Sequence, residues 1–236
     1  MKKNIWYKVK NFYEKLPFNF RSSLSNHLTK IKNNDPLKEY PCLNGILNKK
    51  ISHIDIGCGV GWFVNSLNYN YGIKSTGIDF TKEAITRAIQ IKKKMNLKTN
   101  FINNDFLKYN NKKKFDLVSS IGVLHHTKNC LKSLSIVINK YLKKDGYLFI
   151  GLYHSYGRKP FLDYFEKLKK KKITEEKIFE KFKNLRPGND NINDLSWFRD
   201  QVLHPHETQH SFEEIYNFLK KKNFEIKYTS INNFKK

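Results

Sequence analysis

The chain has 236 residues, of which 39% are hydrophobic and 14% aromatic, so it is too apolar for a wholly disordered protein and long enough to bury a core without disulfides or structural metals. Its 45 lysines and arginines against 21 acidic residues give a formal net charge of +24, yet only five of those basic residues are arginine. Arginine is the side chain that forks onto phosphates and guanine edges. The charge therefore favours a lysine-rich solvated surface, with nucleic-acid binding left open as the less favoured alternative.

The three cysteines, Cys42, Cys58 and Cys130, are odd in number and form no CxxC pair, which argues against a disulfide framework or a cysteine-based zinc site. The longest apolar run, over 147–153, is far too short to cross a bilayer. Charges also interrupt the residues after the basic N-terminus, so no signal core forms there. We therefore expect a soluble protein of a reducing compartment, most simply the cytoplasm, without a membrane partner.

Residues 1–50 mix aromatic and charged side chains, with Pro17, Pro36 and Pro41 as breaks. Short helices over 4–15 and 22–33 are predicted between these breaks. We interpret this stretch as an N-terminal helical cap.

Residues 51–153 alternate strand-like and helix-like patterns, which indicates βαβ units and a parallel sheet. The predicted strands span 51–56, 74–79, 99–103, 115–120 and 146–153. The apolar residues of 81–95 and of 128–142 recur at helical spacing, so each stretch is predicted as a helix. The fold class is therefore α/β, a doubly wound and mostly parallel sheet, with its core over 51–153.

Residues 154–210 depart from that alternation, with a lysine run, a Pro-Gly turn and a histidine-rich end at 204–210. We interpret them as an insertion after the fifth strand, a substrate lid over the carboxyl edge of the sheet. Ser211 and Glu214 form a capping-box pattern, so a helix is predicted over 211–222. A last strand is predicted over 224–231, and residues 211–236 would complete the core.

The most specific motif is Asp55-x-Gly57-x-Gly59-x-Gly61, at the junction of a strand and a helix. Glycines at alternate positions let a ligand approach the backbone. A dinucleotide-binding fingerprint would need a third glycine at position 62, which is Trp62, and no Gly-Lys-Ser/Thr of a phosphate loop is present. Neither a nicotinamide dinucleotide nor a nucleoside triphosphate is therefore indicated.

That motif resembles motif I of class I S-adenosylmethionine-dependent methyltransferases, a family with a Rossmann-like fold. Further segments over about 50–153 match in the family's order: 76–80, 104–106, 115–120, 121–126 and 142–150. The resemblance implies S-adenosylmethionine as methyl donor, with Asp79 on its ribose hydroxyls, Asp105 on its adenine amino group and Phe106 against the adenine ring. The cofactor-binding residues implied are Asp55, Gly57, Cys58, Gly59, Gly61, Asp79, Phe80, Asp105, Phe106 and Ile121.

The end of the fourth strand bears on the methyl acceptor. In place of the Asn/Asp-Pro-Pro-aromatic of adenine- and glutamine-methylating families stands Ser119-Ser120-Ile121-Gly122, and the cysteine of cytosine-C5 enzymes is missing there. The loop 123–127 resembles instead the group acting on oxygen, nitrogen or carbon of small molecules. We therefore expect a small-molecule acceptor. An RNA methyltransferase and a donor-binding assembly protein without turnover stay open as alternatives.

Histidines are the candidates for a catalytic base, because imidazole titrates near neutral pH. His125 and His126 follow the fourth strand, His154 follows the fifth, and His206 lies in the cluster 204–210. Each could equally bind backbone or cap a helix. Pro205 and the absence of an HExxH pattern argue against a metal site in that cluster. Candidate substrate-binding residues are Tyr153, Arg158, Arg199, His204 and His210, the arginines pairing either an anionic acceptor or a local carboxylate such as Asp200.

Overall fold

The N-terminal part of the chain is helical, as predicted. The structure is a computed structural model that describes residues 5–47 and 50–230. Ser23 begins the second helix by accepting a hydrogen bond from the Asn26 amide, and Asp35 does the same for the third with the Leu37 amide. The helices are α1 (Ile5–Lys15), α2 (Leu24–Asn33) and α3 (Pro36–Glu39), and a 3₁₀ turn follows over Pro41–Leu43.

A five-stranded, all-parallel sheet forms the centre, with strand order β3-β2-β1-β4-β5. The strands are β1 (Ser52–Ile56), β2 (Lys74–Asp79), β3 (Asn100–Asn103), β4 (Phe115–Ile121) and β5 (Leu142–Gly151). The connecting helices are α4 (Trp62–Tyr71), α5 (Lys82–Lys94) and α6 (Cys130–Tyr141). The predicted doubly wound α/β sheet is confirmed, and its strand order reverses between β1 and β4, where open α/β sheets bind ligands.

Two apolar layers hold the sheet, one on each face. On one face Ile54, Ile56 and Val118 pack in the same cluster as α6 residues. On the other, Phe63 and Leu67 of α4 pack with Ile73 and Leu43. The central strands are covered on both faces. Their buried polar residues His53, Asp55 and Ser119 are hydrogen-bonded to one another between the apolar ones.

Residues 154–210 fold into three helices, α7 (Ser155–Lys170), α8 (Glu175–Leu185) and α9 (Asn191–Val202), followed by a coil. Phe165, Phe182 and Phe198 form an apolar cluster of their own between these helices. Asp190, at the start of α9, accepts hydrogen bonds from the Ser22 amide and hydroxyl, so the N-terminal segment is tied to this unit. No helix within 5–47 or 50–230 has the length and apolarity needed to cross a bilayer.

The C-terminal part differs from the prediction. The last helix, α10 (Phe212–Lys220), is confirmed, with Ser211 accepting from the Glu214 amide at 3.1 Å. The predicted strand over 224–231 is wrong for 224–230, which are coil apart from residue 230; residue 231 lies outside the described residues. Phe224 and Ile226 pack on the main core. Their alternation therefore reports burial and not pairing with a neighbouring strand.

Candidate functional site

The glycine-rich turn connects β1 to α4 and leans on the end of β2. The amides of Gly57 and Cys58 both donate to the Ile78 carbonyl, at 2.8 and 3.1 Å. A Cβ at Gly57 would lie 2.5 Å from Val123, whereas a Cβ at Gly59 would meet nothing closer than a backbone oxygen at 3.9 Å. The first glycine is thus required by packing. The second, with a φ of +51°, leaves its backbone open to a ligand.

Two acids lie beside this turn, at the carboxyl ends of neighbouring strands. Asp79 Oδ2 accepts from the Gly59 amide at 3.0 Å, and its Oδ1 accepts from the Thr81 amide at 2.8 Å. The Asn104 amide donates to the Asp79 carbonyl at 2.9 Å, which brings the adjacent Asp105 to the same edge of the sheet. Since a carboxylate oxygen has two lone pairs, Asp79 keeps acceptor capacity for a ligand.

The other residues that the sequence analysis expected to contact the methyl donor differ in exposure. Phe80 is half-buried, and the rings of Trp6 and Tyr13 each lie 6.4 Å from it. Phe106, in contrast, is buried in the main core. Cys58 is buried with Val64 and Ile85, and Ile121 packs beside the α4 cluster. A Cβ at Gly61 would lie 2.7 Å from the Phe101 ring. Phe80 is therefore better placed than Phe106 to touch a ligand at this edge.

Asp55 ends a buried chain of hydrogen bonds across the sheet. The Ser119 hydroxyl donates to Asp55 Oδ1 at 2.5 Å, and His53 Nε2 lies 2.8 Å from the Ser119 oxygen. Because that hydroxyl already donates to Asp55, it accepts from His53, whose Nδ1 then accepts from Ser75. Burial raises the pKa of Asp55 to about 7, although the Ser119 hydrogen bond opposes the rise.

This raised pKa has a consequence for stability. Between about pH 4 and pH 7 the unfolded chain ionises Asp55 while the folded chain keeps its proton, so folding loses stability as the pH rises, by up to about 4 kcal/mol. Asp55→Asn should remove that loss. Thermal unfolding at pH 5 and pH 8 should show the wild type losing more stability than the variant. Parallel losses in the two proteins would contradict this assignment.

Helix α1 lies over both acids. The Trp6 indole Nε1 donates to Asp105 Oδ2 at 3.0 Å, and the Tyr13 hydroxyl donates to Asp200 Oδ1 at 2.6 Å. Burial and the nearby carboxylates of Asp200 and Asp79 keep the pKa of Tyr13 well above its usual range. Tyr13 therefore lies between the edge that carries Asp79 and a second cluster, which is built from the ends of β4 and β5 and from α9.

Histidines form the centre of that second cluster. His126 Nδ1 lies 2.9 Å from the His206 carbonyl, so Nδ1 carries the proton and Nε2 is the acceptor of the neutral ring. His125 Nε2 therefore donates to this Nε2 at 3.1 Å, and Asp200 Oδ1 lies 3.9 Å from it. Burial lowers the pKa of His126 and takes that of His125 to about 2, so both rings are neutral near pH 7. The His204 ring lies 3.7 Å from that of His126.

Three other candidate histidines are engaged by their surroundings. His154 Nδ1 accepts from the Gly157 amide and caps α7. His210 binds Glu214 Oε2 at 2.8 Å through Nδ1 and the Thr208 hydroxyl at 2.9 Å through Nε2. His206 Nε2 lies 3.0 Å from a backbone carbonyl. In the described residues no group of three or more His, Cys, Asp or Glu side chains could hold a metal ion.

The two candidate arginines are engaged as well. Arg158 makes two hydrogen bonds to the Glu207 carboxylate, at 3.1 and 2.9 Å, and two more to Gln201. Arg199 Nη2 donates to the Phe12 carbonyl at 2.7 Å, and its guanidinium lies 4.5 Å from the Phe12 ring. Of the two open readings, a local partner therefore describes both arginines in this structure.

Asp200 is the main residue that the sequence did not indicate as part of a site. The sequence suggested it only as an ion-pair partner for an arginine. Its neighbours are instead Tyr13, His126, Tyr153 and Gln201. The signal present was weak: an acid one residue after Arg199 and four before His204, near the end of a helix.

Comparison with known proteins supports the resemblance to methyltransferases. A family described as "Methyltransferase domain" matches residues 47–223. Curated protein sequences give no match. Among solved structures, magnesium protoporphyrin IX methyltransferase from Synechocystis PCC 6803 with bound S-adenosylhomocysteine is 15% identical with a TM-score of 0.52, covering 94% of this chain and 85% of its own. The same enzyme with bound S-adenosylmethionine is 13% identical with a TM-score of 0.50, covering 98% and 77%.

A third structure, a methyltransferase from Thiobacillus denitrificans in complex with S-adenosylhomocysteine, is 17% identical with a TM-score of 0.43 and covers 56% of each chain. This chain therefore spans about half the length of that protein. At these identities the solved structures bear on the fold alone, whereas the family match extends over most of the chain. The chain belongs to the methyltransferase-domain family, and its sheet has the fold of class I S-adenosylmethionine-dependent methyltransferases.

Proposed function

We propose that this methyltransferase transfers the methyl group of S-adenosylmethionine to a small-molecule acceptor at the carboxyl edge of its sheet. The observation that carries the proposal is the convergence of the open Gly59 backbone with Asp79, beside Asp105 on the next strand. A carboxylate with spare lone pairs suits a ribose diol, and a second one suits an exocyclic amino group. When bound, the donor supplies a methyl group on a good leaving group, so positioning can provide much of the catalysis.

The acceptor would bind on the other side of Tyr13, among His126, Asp200 and Tyr153. Several contacts enclose this region: Tyr13 with Asp200, Arg199 with the Phe12 carbonyl, and the Thr208 amide with the His125 carbonyl. A folded protein or a polynucleotide would need a wider opening than these contacts leave. The enclosure supports a small molecule, with residues 154–210 as its lid.

The Trp6 indole gives a direct test of the donor assignment. If Asp105 receives the adenine amino group, the indole N–H competes for the same carboxylate oxygen. Trp6→Phe keeps a ring but removes that donor, so S-adenosylhomocysteine should bind about tenfold more tightly in calorimetry. Trp197→Phe, whose indole N–H donates to Asn19, is the matched control and should not change affinity. Weaker binding by the Trp6 variant would remove Asp105 from the adenine role.

The function itself is tested by labelled methyl transfer. The full chain is incubated with S-adenosylmethionine carrying a labelled methyl group and a cell extract separated into small-molecule, RNA and protein fractions. Label entering the small-molecule fraction supports the proposal, and label entering RNA would replace it with the RNA alternative. Binding of S-adenosylhomocysteine without transfer to any fraction would favour a donor-binding protein without turnover.

A further inference from the structure

The Asp200 carboxylate is buried without a strong cation beside it. The residue is 4% exposed. Within the described residues, its only ion-pair partner inside 4 Å is the neutral His126 ring, whose Nε2 lies 3.9 Å from Asp200 Oδ1. Its oxygens accept instead from neutral groups: Tyr13 at 2.6 Å, and Gln201 at 2.8 Å with Tyr153 at 3.5 Å. Burial raises the pKa of Asp200, while His126 and the hydrogen bonds oppose the rise. A buried acid held this way recognises hydrogen-bond donors.

Asp200 is also one side chain away from Asp79 and Asp105, the acids proposed to bind the methyl donor. The Tyr13 ring that binds it lies 6.4 Å from the ring of Phe80, the residue after Asp79. The same Tyr13 ring lies 6.4 Å from that of His126. The Tyr13 hydroxyl on Asp200 thus marks a position between Asp79 and Asp105 on one side and the His126 ring on the other.

We propose that Asp200 recognises the acceptor through an O–H or N–H on its nucleophile, so that the acceptor is a hydroxyl or amine compound and its reacting group is not an anion. Asp200 also receives the proton of this nucleophile. The inference rests on the proposed function and specifies its acceptor. It departs from the anionic acceptor considered from the sequence, because Arg158 and Arg199 are held by Glu207 and the Phe12 carbonyl.

The proton balance fits these positions. The nucleophile gains a methyl carbon and loses a proton, and the sulfonium becomes a neutral thioether. The proton passes to the Asp200 oxygen that accepts its hydrogen bond, because the Nε2 lone pair of His126 already accepts from His125. The carboxyl group so formed is neutral, which suits a buried site without a strong cation beside it. It then returns the proton to solvent when the product leaves.

The groups around Asp200 make an anion a poor ligand there. The facing titratable groups are Tyr13 of α1, His126 after β4, Tyr153 after β5 and Arg158 of α7, with Asp79 next along the cleft. Arg158 is neutralised by Glu207. The carboxylates of Asp200 and Asp79 would repel a carboxylate or phosphate brought among these groups.

A second observation concerns His204, which stacks on His126. Its Nδ1 accepts from the His206 amide, so the proton of the neutral ring is on Nε2. In the described part of the chain that Nε2 is buried without a hydrogen-bond partner, as is His125 Nδ1. Buried polar atoms are normally satisfied. A hydroxyl or amine has a lone pair as well as a proton, so it can accept from the His204 Nε2–H and donate to Asp200 at the same time.

Three probes of similar size separate the classes: phenol, benzylamine and benzoate. Each is titrated into the full-length protein saturated with S-adenosylhomocysteine, with ligand-observed NMR as readout. We expect phenol or benzylamine to bind in preference to benzoate, and the preferred one identifies a hydroxyl or an amine. Asp200→Asn should weaken its binding about tenfold. Asp163→Asn, on an exposed acid of α7 paired with Lys159, is the matched control and should bind like the wild type.

The outcomes separate this inference from the proposed function. Failure of the wild type to bind S-adenosylhomocysteine would overturn the function, and the inference with it. With that binding intact, a preference for benzoate, no binding of any probe, or unchanged affinity in Asp200→Asn would overturn the inference alone. Asp200→Asn is compared only if it binds S-adenosylhomocysteine like the wild type; if it does not fold, Tyr13→Phe replaces it. That variant leaves the Asp200 oxygen open and should bind the preferred probe more tightly, and unchanged or weaker binding would count against the inference.

Discussion

Replacing Asp79 by alanine should weaken S-adenosylhomocysteine binding about 100-fold. In the proposed donor site the substitution would remove the acceptor for two ribose hydroxyls, each worth about 1.5 kcal/mol when the acceptor is charged. It also removes the acceptor of the Gly59 amide, so the glycine turn loses a contact at the same time. Isothermal calorimetry on the purified chain measures the change directly.

Two variants accompany this measurement. Asp79→Asn keeps an oxygen that can accept from one amide and removes the charge, so an intermediate loss of about tenfold is expected. Asp163→Ala removes an exposed acid paired only with Lys159 and should leave affinity unchanged. If Asp79→Ala folds and binds S-adenosylhomocysteine like the wild type, Asp79 has no role at the ribose.

Replacing Arg158 by alanine should lower the free energy of unfolding by about 3 kcal/mol, because it leaves the Glu207 carboxylate buried without its partner. The Arg158 side chain is 6% exposed and that of Glu207 11%. The guanidinium also lies 4.2 Å from the Tyr153 ring and 4.6 Å from the Phe161 ring. Denaturant unfolding followed by circular dichroism measures the loss.

A double-mutant cycle separates the ion pair from packing. Arg158→Ala with Glu207→Ala should be less destabilised than the sum of the single variants, since neither charge is then left unpaired. Additive losses would mean that Arg158 acts by packing on the two aromatic rings. If Arg158→Ala keeps its stability but loses acceptor binding, the residue belongs to the acceptor site, as the sequence first suggested.

The sequence was sufficient for the sheet because the information there is local. The short strands carry buried apolar residues such as Ile54, Ile56 and Val118, and β1, β2 and β4 lead to helices whose apolar residues recur at a 3.6-residue spacing. The strand at 224–231 was wrong for a related reason. Side-chain alternation records which residues are buried, and Phe224 and Ile226 are partly buried on the core without a partner strand.

The placement of the glycine turn beside Asp79 and Asp105 was also predictable, since the glycines and the acids at strand ends lie within about 50 residues in one order. The cluster around Asp200 was not. Tyr13 and Asp200 are 187 residues apart, and Trp6 and Asp105 are 99 apart. No spacing rule connects such pairs, because helix packing brings them together. Likewise Arg158 has the same chemistry whether it binds substrate or Glu207.

By itself, then, the sequence determined the parallel sheet, the glycine turn and the two acids beside it, because each depends on neighbours along the chain. Only the tertiary structure decided which nitrogen of His126 carries the proton, which partners the two arginines have, and that α1 and α9 meet at Asp200. Those properties depend on burial and on hydrogen-bond partners from distant segments, and both exist only once the helices have packed.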